Sequence, residues 1–176
     1  LRYQVLTEGK WRPAVAVGLR DFIGTGLYGS EYVVATKEIV PGLRFSGGLG
    51  WGRLGSYESF GSIGTRPEEL LGEGGIPTYD RWFRGDVAAF GGLSFAVTDR
   101  LTVKAEYSSD AYEDEVASGI FERESPWNYG LDYQFKNGTQ LSVYSLYGTE
   151  IGAQISFHLN PRKAPYPGGR ETAPVP

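Results

Sequence analysis

Apolar and polar side chains alternate with a period of two along most of this chain, the spacing that puts one class on each face of a β-strand. Trp11, Pro13, Val15, Val17 and Leu19 alternate with Arg12, Ala14, Ala16, Gly18 and Arg20. Leu43, Phe45, Gly47, Leu49 and Trp51 alternate with Arg44, Ser46, Gly48, Gly50 and Gly52. Leu101, Val103, Ala105 and Tyr107 do so with Thr102, Lys104, Glu106 and Ser108, and Trp127, Tyr129, Leu131, Tyr133 and Phe135 with Asn128, Gly130, Asp132 and Gln134. Ile151, Ala153, Ile155, Phe157 and Leu159 close the series against Gly152, Gln154, Ser156 and His158. Weaker versions cover 28–37, 87–97 and 140–147, with a short one at 1–7. Nine strands are predicted.

The connections sort by length. Short turns are expected at Glu8-Gly9-Lys10, Pro41-Gly42, Thr98-Asp99-Arg100 and Lys136-Asn137-Gly138, the last an Asn-Gly hairpin signal. Longer links fall at 22–27, at 53–82 and at 109–126. Short turns on one rim and long loops on the other is the plan of an outer-membrane barrel, whose short turns are periplasmic. An all-β, antiparallel, up-and-down transmembrane β-barrel of about nine strands is therefore expected over 1–160, followed by a Pro/Gly-rich tail at 161–176. Bacterial barrels close with an even strand number, so a further strand is expected from elsewhere.

The faces differ in chemistry. One carries Leu, Val, Ile, Phe, Tyr and Trp. To the other are assigned Gly, Ala, Ser, Gln and eight charges that would line a lumen: Arg12, Arg20, Glu31, Lys37, Arg44, Lys104, Glu106 and Asp132. Serine in place of Gly50 on that face is expected to be mild. Alternation alone does not choose between lipid outside with a polar lumen and a soluble barrel with an apolar interior. Aromatics near strand ends (Trp11, Tyr28, Trp51, Tyr107, Trp127, Phe135, Tyr147 and Phe157) fit an interfacial girdle.

Composition narrows the classes. The 176 residues hold 17 Lys and Arg against 21 Asp and Glu, and no Cys or Met. That length suits one domain. Without Cys there is no disulfide framework or thiolate chemistry. A pI near 5.1 argues against nucleic acid as a partner. No stretch of 18 apolar residues is present and mean hydropathy is −0.30, which excludes a membrane-spanning helix but not spanning strands. The chain begins at Leu1 without a lipid-attachment Cys, and an internal or processed fragment is expected.

The run Arg12-Pro13-Ala14-Val15-Ala16-Val17-Gly18-Leu19-Arg20-Asp21-Phe22-Ile23-Gly24-Thr25-Gly26, continued by Tyr28 and Ser30-Glu31-Tyr32-Val33-Val34-Ala35-Thr36-Lys37, resembles the YjbH family. Gly48-Leu49-Gly50-Trp51-Gly52-Arg53-Leu54, Trp82-Phe83-Arg84-Gly85, Leu101-Thr102-Val103-Lys104-Ala105-Glu106-Tyr107, Asn128-Tyr129-Gly130-Leu131 and Gly152-Ala153-Gln154-Ile155-Ser156 extend the likeness. The resemblance implies an outer-membrane lipoprotein barrel linked to exopolysaccharide production or export. It carries over no catalytic residue.

Candidate chemistry is sparse. His158, the single histidine, shares a face with Ser156 but reads as a solvated or satisfied side chain beside a short turn. Glu113-Asp114-Glu115 with Glu122 and Glu124 reads as a solvated acidic loop rather than a Ca²⁺ site, because the spacing is not that of an EF-hand. Gly61, Gly64, Gly72, Gly74 and Gly75 read as a flexible external loop, since no Lys-Ser/Thr follows them to make a phosphate cradle. One helical turn is expected at Glu68-Glu69-Leu70-Leu71. No enzyme activity, cofactor or metal is expected. Membrane lipid, lipopolysaccharide, an anionic polysaccharide or other envelope subunits are the expected partners. The lumen-facing charges either pair into a wall-stiffening network, which suits a scaffold that docks other subunits, or line an anionic sugar path. A soluble carbohydrate-binding β-barrel is the remaining alternative.

Overall fold

The computed structural model describes residues 1–67 and 74–157, so His158, the tail and the turn at 68–71 lie outside the described residues. Ten strands form one antiparallel sheet: β1 (Arg2–Leu6), β2 (Ala14–Arg20), β3 (Ser30–Val40), β4 (Leu43–Gly52), β5 (Gly61–Ile63), β6 (Gly85–Ala96), β7 (Leu101–Tyr107), β8 (Trp127–Gln134), β9 (Gln140–Leu146) and β10 (Glu150–Ser156). Nine of them follow chain order across the sheet, and β5 pairs with the start of β6. The nine are those the alternation predicts. β5 was expected to be flexible loop. It is three residues long, too short for a period to register, and holds Gly61.

Three of the four short turns form where the sequence places them, and the one at Glu8-Gly9-Lys10 widens to a connection over 7–13, so that β2 begins at Ala14 rather than Trp11. Gly42 and Gly138 take φ of 82° and 86°, the left-handed conformation that glycine adopts without steric cost. Thr139 donates its backbone N–H to the Asn137 side chain at 3.1 Å, which fixes the Asn-Gly turn. The opposite rim carries 21–29, the described residues of the long 53–84 connection (53–67 and 74–84) and 108–126, together with the tight turn at 147–149. The segment 53–84 begins with a single 3-10 turn, Arg53–Gly55, and the 108–126 loop contains a one-turn helix, α1 (Glu113–Ala117).

Directly opposed residues of an antiparallel pair share a face, so the register assigns every strand side chain. Phe45 opposes Leu93, Val103 opposes Leu131 and Leu131 opposes Val143 on one face. Arg44 opposes Ser94, Lys104 opposes Gly130 and Asp132 opposes Ser142 on the other. The polar face is concave. Four strand steps separate β2 from β7, about 19 Å across a flat sheet, yet Arg20 of β2 acts electrostatically on Glu106 of β7. Arg20 also lines one cavity with Asp110, Tyr112 and Glu115 from the loop after β7. Curling brings them together.

The sheet does not close into a barrel among the described residues: β1 bonds to β2 alone and β10 to β9 alone. The buried apolar side chains are few, namely Ala16, Leu19, Trp51, Val87 and Ala88. Trp51 departs from the expected girdle. It is 6% exposed and meets the Phe83 ring edge-on at 5.2 Å. Tyr147 also leaves the girdle, stacking on Phe121 at 4.4 Å within the rim loops. Gly50 is not a mild site for serine either. A Cβ there would stand 2.3 Å from the Leu54 Cβ, because the 3-10 turn folds back onto the strand.

Candidate functional site

The register parts the eight predicted lumen charges. Arg20, Arg44, Lys104, Glu106 and Asp132 share the concave face, and Lys104 forms an ion pair with Asp132 across β7 and β8. Glu31 and Lys37 do not join them. They oppose Trp51 and Phe45, which puts both on the apolar face. Their placement with the polar set is corrected by pairing, since β3 has charged residues at both parities: Glu31 and Lys37 at one, Glu38 at the other. Arg12 lies outside the strands, in the turn before β2, where Gly9 donates its N–H to the Arg12 carbonyl at 3.0 Å.

Both apolar-face charges are neutralised. Lys37 Nζ sits 2.8 Å from Glu8 Oε1 in the β1–β2 turn and donates also to the Gly9 carbonyl. Glu31, 3% exposed, receives both Nη groups of Arg66 at 2.7 and 3.1 Å and the Phe83 N–H at 3.1 Å. Arg66 spends a further N–H on the Arg81 carbonyl at 2.9 Å. A fork of this kind matches the carboxylate geometry and fixes both side chains. It holds Arg66 and Phe83 against the start of β3 and the end of β4.

A second cluster stands at the mouth of the concave face. The Arg53 guanidinium bonds to Asp110 at 3.1 Å and to both oxygens of Glu115 at 2.8 and 2.9 Å. It also lies over the rings of Tyr28 and Tyr112, 5.0 and 5.4 Å from their centroids. Ser109, fully buried, donates to the Leu54 carbonyl at 2.6 Å and accepts the Tyr57 N–H at 3.0 Å through its own carbonyl. Thus the loop after β7 is fastened to the turn after β4. The non-glycine residues at positive φ, Asp21, Glu58, Phe83, Tyr112 and Tyr147, all lie in connections of this rim. Each costs energy that surrounding contacts must offset. Phe83 is held by Glu31, and Tyr112 by its N–H to Asp110 at 2.9 Å.

Sequence reasoning missed Arg53, Arg66 and Asp110. Arg53 and Asp110 are 57 positions apart and Arg66 and Glu31 are 35 apart, with no local spacing to link them. Glu115 of the acidic run is turned onto Arg53 rather than left to solvent, and no group of three or more metal-ligating side chains gathers among the described residues.

The Arg53 cluster predicts an acid response. Burial alone would lower the Arg53 pKa, but the bonds to Glu115 and Asp110 outweigh it and raise it. The hydrogen bond from Arg53 in turn holds the Glu115 carboxyl below its ordinary value, against a smaller opposing effect of desolvation. A lowered carboxylate contributes stability above its unfolded pKa, about 4.3, and loses it as pH falls through the lower folded value. Near-ultraviolet circular dichroism of the tyrosines should hold constant from neutrality into that range and fall below it. In Glu115→Gln the acid transition should lose amplitude, and an unchanged transition would show that Arg53 is not fastening the loop.

Comparison with known proteins places these features in a family. The whole chain, residues 1–176, matches the family described as "Exopolysaccharide biosynthesis protein YbjH". A curated relative from Escherichia coli (strain K12), "Uncharacterized lipoprotein YjbH", is 33% identical over 168 residues, which cover 91% of this chain and 24% of that protein. The chain thus spans about a quarter of the relative's length. No solved structure matches. A match over the full chain, together with one-third identity to a curated member, shows that this chain belongs to the YjbH family.

Proposed function

We propose that this chain is a section of the wall of an outer-membrane β-barrel, lipid on its apolar face and a polar lumen on its concave face, serving exopolysaccharide production or export without catalysis. The carrying observation is the inversion of the two faces. Phe45, Leu49, Leu93, Phe95, Leu131 and Tyr133 each stand about 40–50% exposed on a single face, whereas Arg2, Arg20, Arg44, Lys104, Glu106 and Asp132 share the concave one. Monomeric soluble proteins rarely expose a contiguous apolar surface of this size, and lipid supplies what such a face needs. The lengths of β3, β4 and β6, 11, 10 and 12 residues, suit a tilted spanning strand of about 9–11 residues. The family's description supports the link to exopolysaccharide, and the word lipoprotein in the relative's name supports an envelope location.

A second reading rests on the mouth cluster and the Lys104–Asp132 pair: a scaffold with a charge-blocked lumen that docks other envelope subunits. Planar-bilayer conductance separates the two, being negligible for the scaffold.

Topology gives the direct test. The chain has no native Cys, so single cysteines report cleanly. Cysteines at Ser62 and Ser118, both exposed on the long-loop rim, should react in whole cells with an impermeant thiol reagent. One at Asn137 in the β8–β9 turn should not. Labelling at Asn137 alone would invert the orientation, and labelling at none with the protein in the soluble fraction would end the membrane reading.

A further inference from the structure

The strands carry five cations, and their pairing is uneven. Lys37, on the apolar face, is held by Glu8, and Lys104 by Asp132. Arg2, Arg20 and Arg44 form no hydrogen bond or ion pair with a described residue, and all three lie on the concave face. Arg2 and Arg44 line one cavity of about 280 Å³ with Gln4 and Thr36. Arg44 also lines a second of about 350 Å³ with Ser46 and Ser94, and Arg20 a third of about 400 Å³ at the mouth. The acids that face them are engaged or lie beyond contact. Glu8 is occupied by Lys37 Nζ and the Glu38 N–H, while Glu38 accepts the Gly42 N–H at 2.9 Å. Glu106 acts on Arg20 across the concavity without forming an ion pair.

Aromatic rings share this face. Tyr32, Phe90 and Tyr144 each lie over the glycine directly opposite on the neighbouring strand, Gly18, Gly48 and Gly152, where a Cβ would fall 2.1–2.5 Å from the ring. These glycines leave room beside the wall for the three half-buried rings. Tyr32 and Phe90 meet edge-on at 6.1 Å. Aromatic side chains suit the apolar faces of sugar rings, and uncommitted guanidinium groups suit carboxylate or sulfate.

We propose that the concave face binds a polyanionic sugar chain, whose acidic groups bond to Arg2, Arg20 and Arg44 and whose rings lie against Tyr32 and Phe90. This deepens the reading above by naming the charge class of the polymer, and it rests on that reading for the concave face being a lumen. A lipid headgroup offers similar anions, but its acyl chains need a broad apolar surface, and the exposed Phe45, Leu49, Leu93, Phe95 and Leu131 are on the other face.

The test uses the detergent-purified protein and fluorescein-labelled polygalacturonate, with neutral dextran of equal length as the comparison, read by anisotropy. Polygalacturonate should bind at least about tenfold more tightly than dextran. Because each change removes a charged hydrogen-bond donor to the acid groups of the polymer, Arg20→Gln and Arg44→Gln should each weaken binding about tenfold or more. Lys136→Gln, which removes the same charge from the exposed β8–β9 turn, should leave it unchanged. Arg44→Lys should recover part of the loss, and heat-modifiable gel mobility establishes that each variant is folded. Equal binding of dextran, or an equal loss in Lys136→Gln, would overturn the proposal. So would arginine-dependent binding of lipopolysaccharide with none of polygalacturonate. The cysteine topology separates the two readings: inverted labelling with arginine-dependent polymer binding fails the membrane orientation and retains the site, and correct labelling without binding fails the site alone.

Discussion

Glu31→Gln should destabilise the sheet by about 3 kcal/mol, because it leaves the Arg66 guanidinium without its counter-charge. Removing one partner of a buried ion pair typically costs about 3–5 kcal/mol. The lower end applies here, since the Arg66 side chain retains 16% exposure and keeps its bonds to the carbonyls of Arg81 and Arg84. Two further losses act with it. The Phe83 N–H loses a charged acceptor, and Phe83 itself sits at φ 55°, a conformation that the bond helps to hold. Phe83 in turn covers Trp51. The urea midpoint of Glu31→Gln should fall accordingly. The double variant Glu31→Gln, Arg66→Leu should be less damaged than the sum of its parts, because it strands no charge. Additive losses would show that the two side chains are not energetically coupled.

Leu131→Arg should cost about 2–4 kcal/mol when the protein is folded into lipid vesicles, if the apolar face meets the bilayer near its midplane. Leu131 lies mid-strand in β8 between Val103 and Val143, and is 49% exposed. That exposure makes the test discriminating. At a position this open, the same change would fall within about 0.5 kcal/mol if the apolar face met water rather than lipid. Leu49→Arg in β4 should behave alike. Ser94→Asn, on the concave face beside Arg44 and Lys104, should be tolerated in either medium. Vesicle folding followed by heat-modifiable mobility reads all three. A harmless Leu131→Arg together with a damaging Ser94→Asn would reverse the faces.

The contrast between Gly50 and Ser94 shows where sequence reasoning reaches its limit. Both are small residues on the polar face, and alternation ranks them together. Gly50 is nevertheless closed to any side chain, because the chain doubles back after Gly52 and sets Leu54 against it. Gly52 has φ 63°, and that reversal is a property of the connection rather than of the strand.

What the amino-acid sequence determined by itself is the set of nine long strands, their alternation and the rim on which each short turn sits. These are local properties: a period of two, an Asn-Gly pair and a Pro-Gly pair each act within a few residues. Within β2, β4, β7, β8 and β10 one parity is clearly apolar, so the faces were legible too. In β3 they were not. Its sequence puts Tyr32, Val34 and Thr36 at one parity and Glu31, Val33, Ala35 and Lys37 at the other, and only pairing with Trp51 and Phe45 places Glu31 and Lys37 on the apolar side. A one-residue shift of register would reverse that assignment. The curl of the sheet, the fork between Glu31 and Arg66 and the fastening of Arg53 to Asp110 and Glu115 were likewise decided by tertiary structure. They join positions 35 to 62 residues apart, and the energy of such a contact depends on which strands have already met.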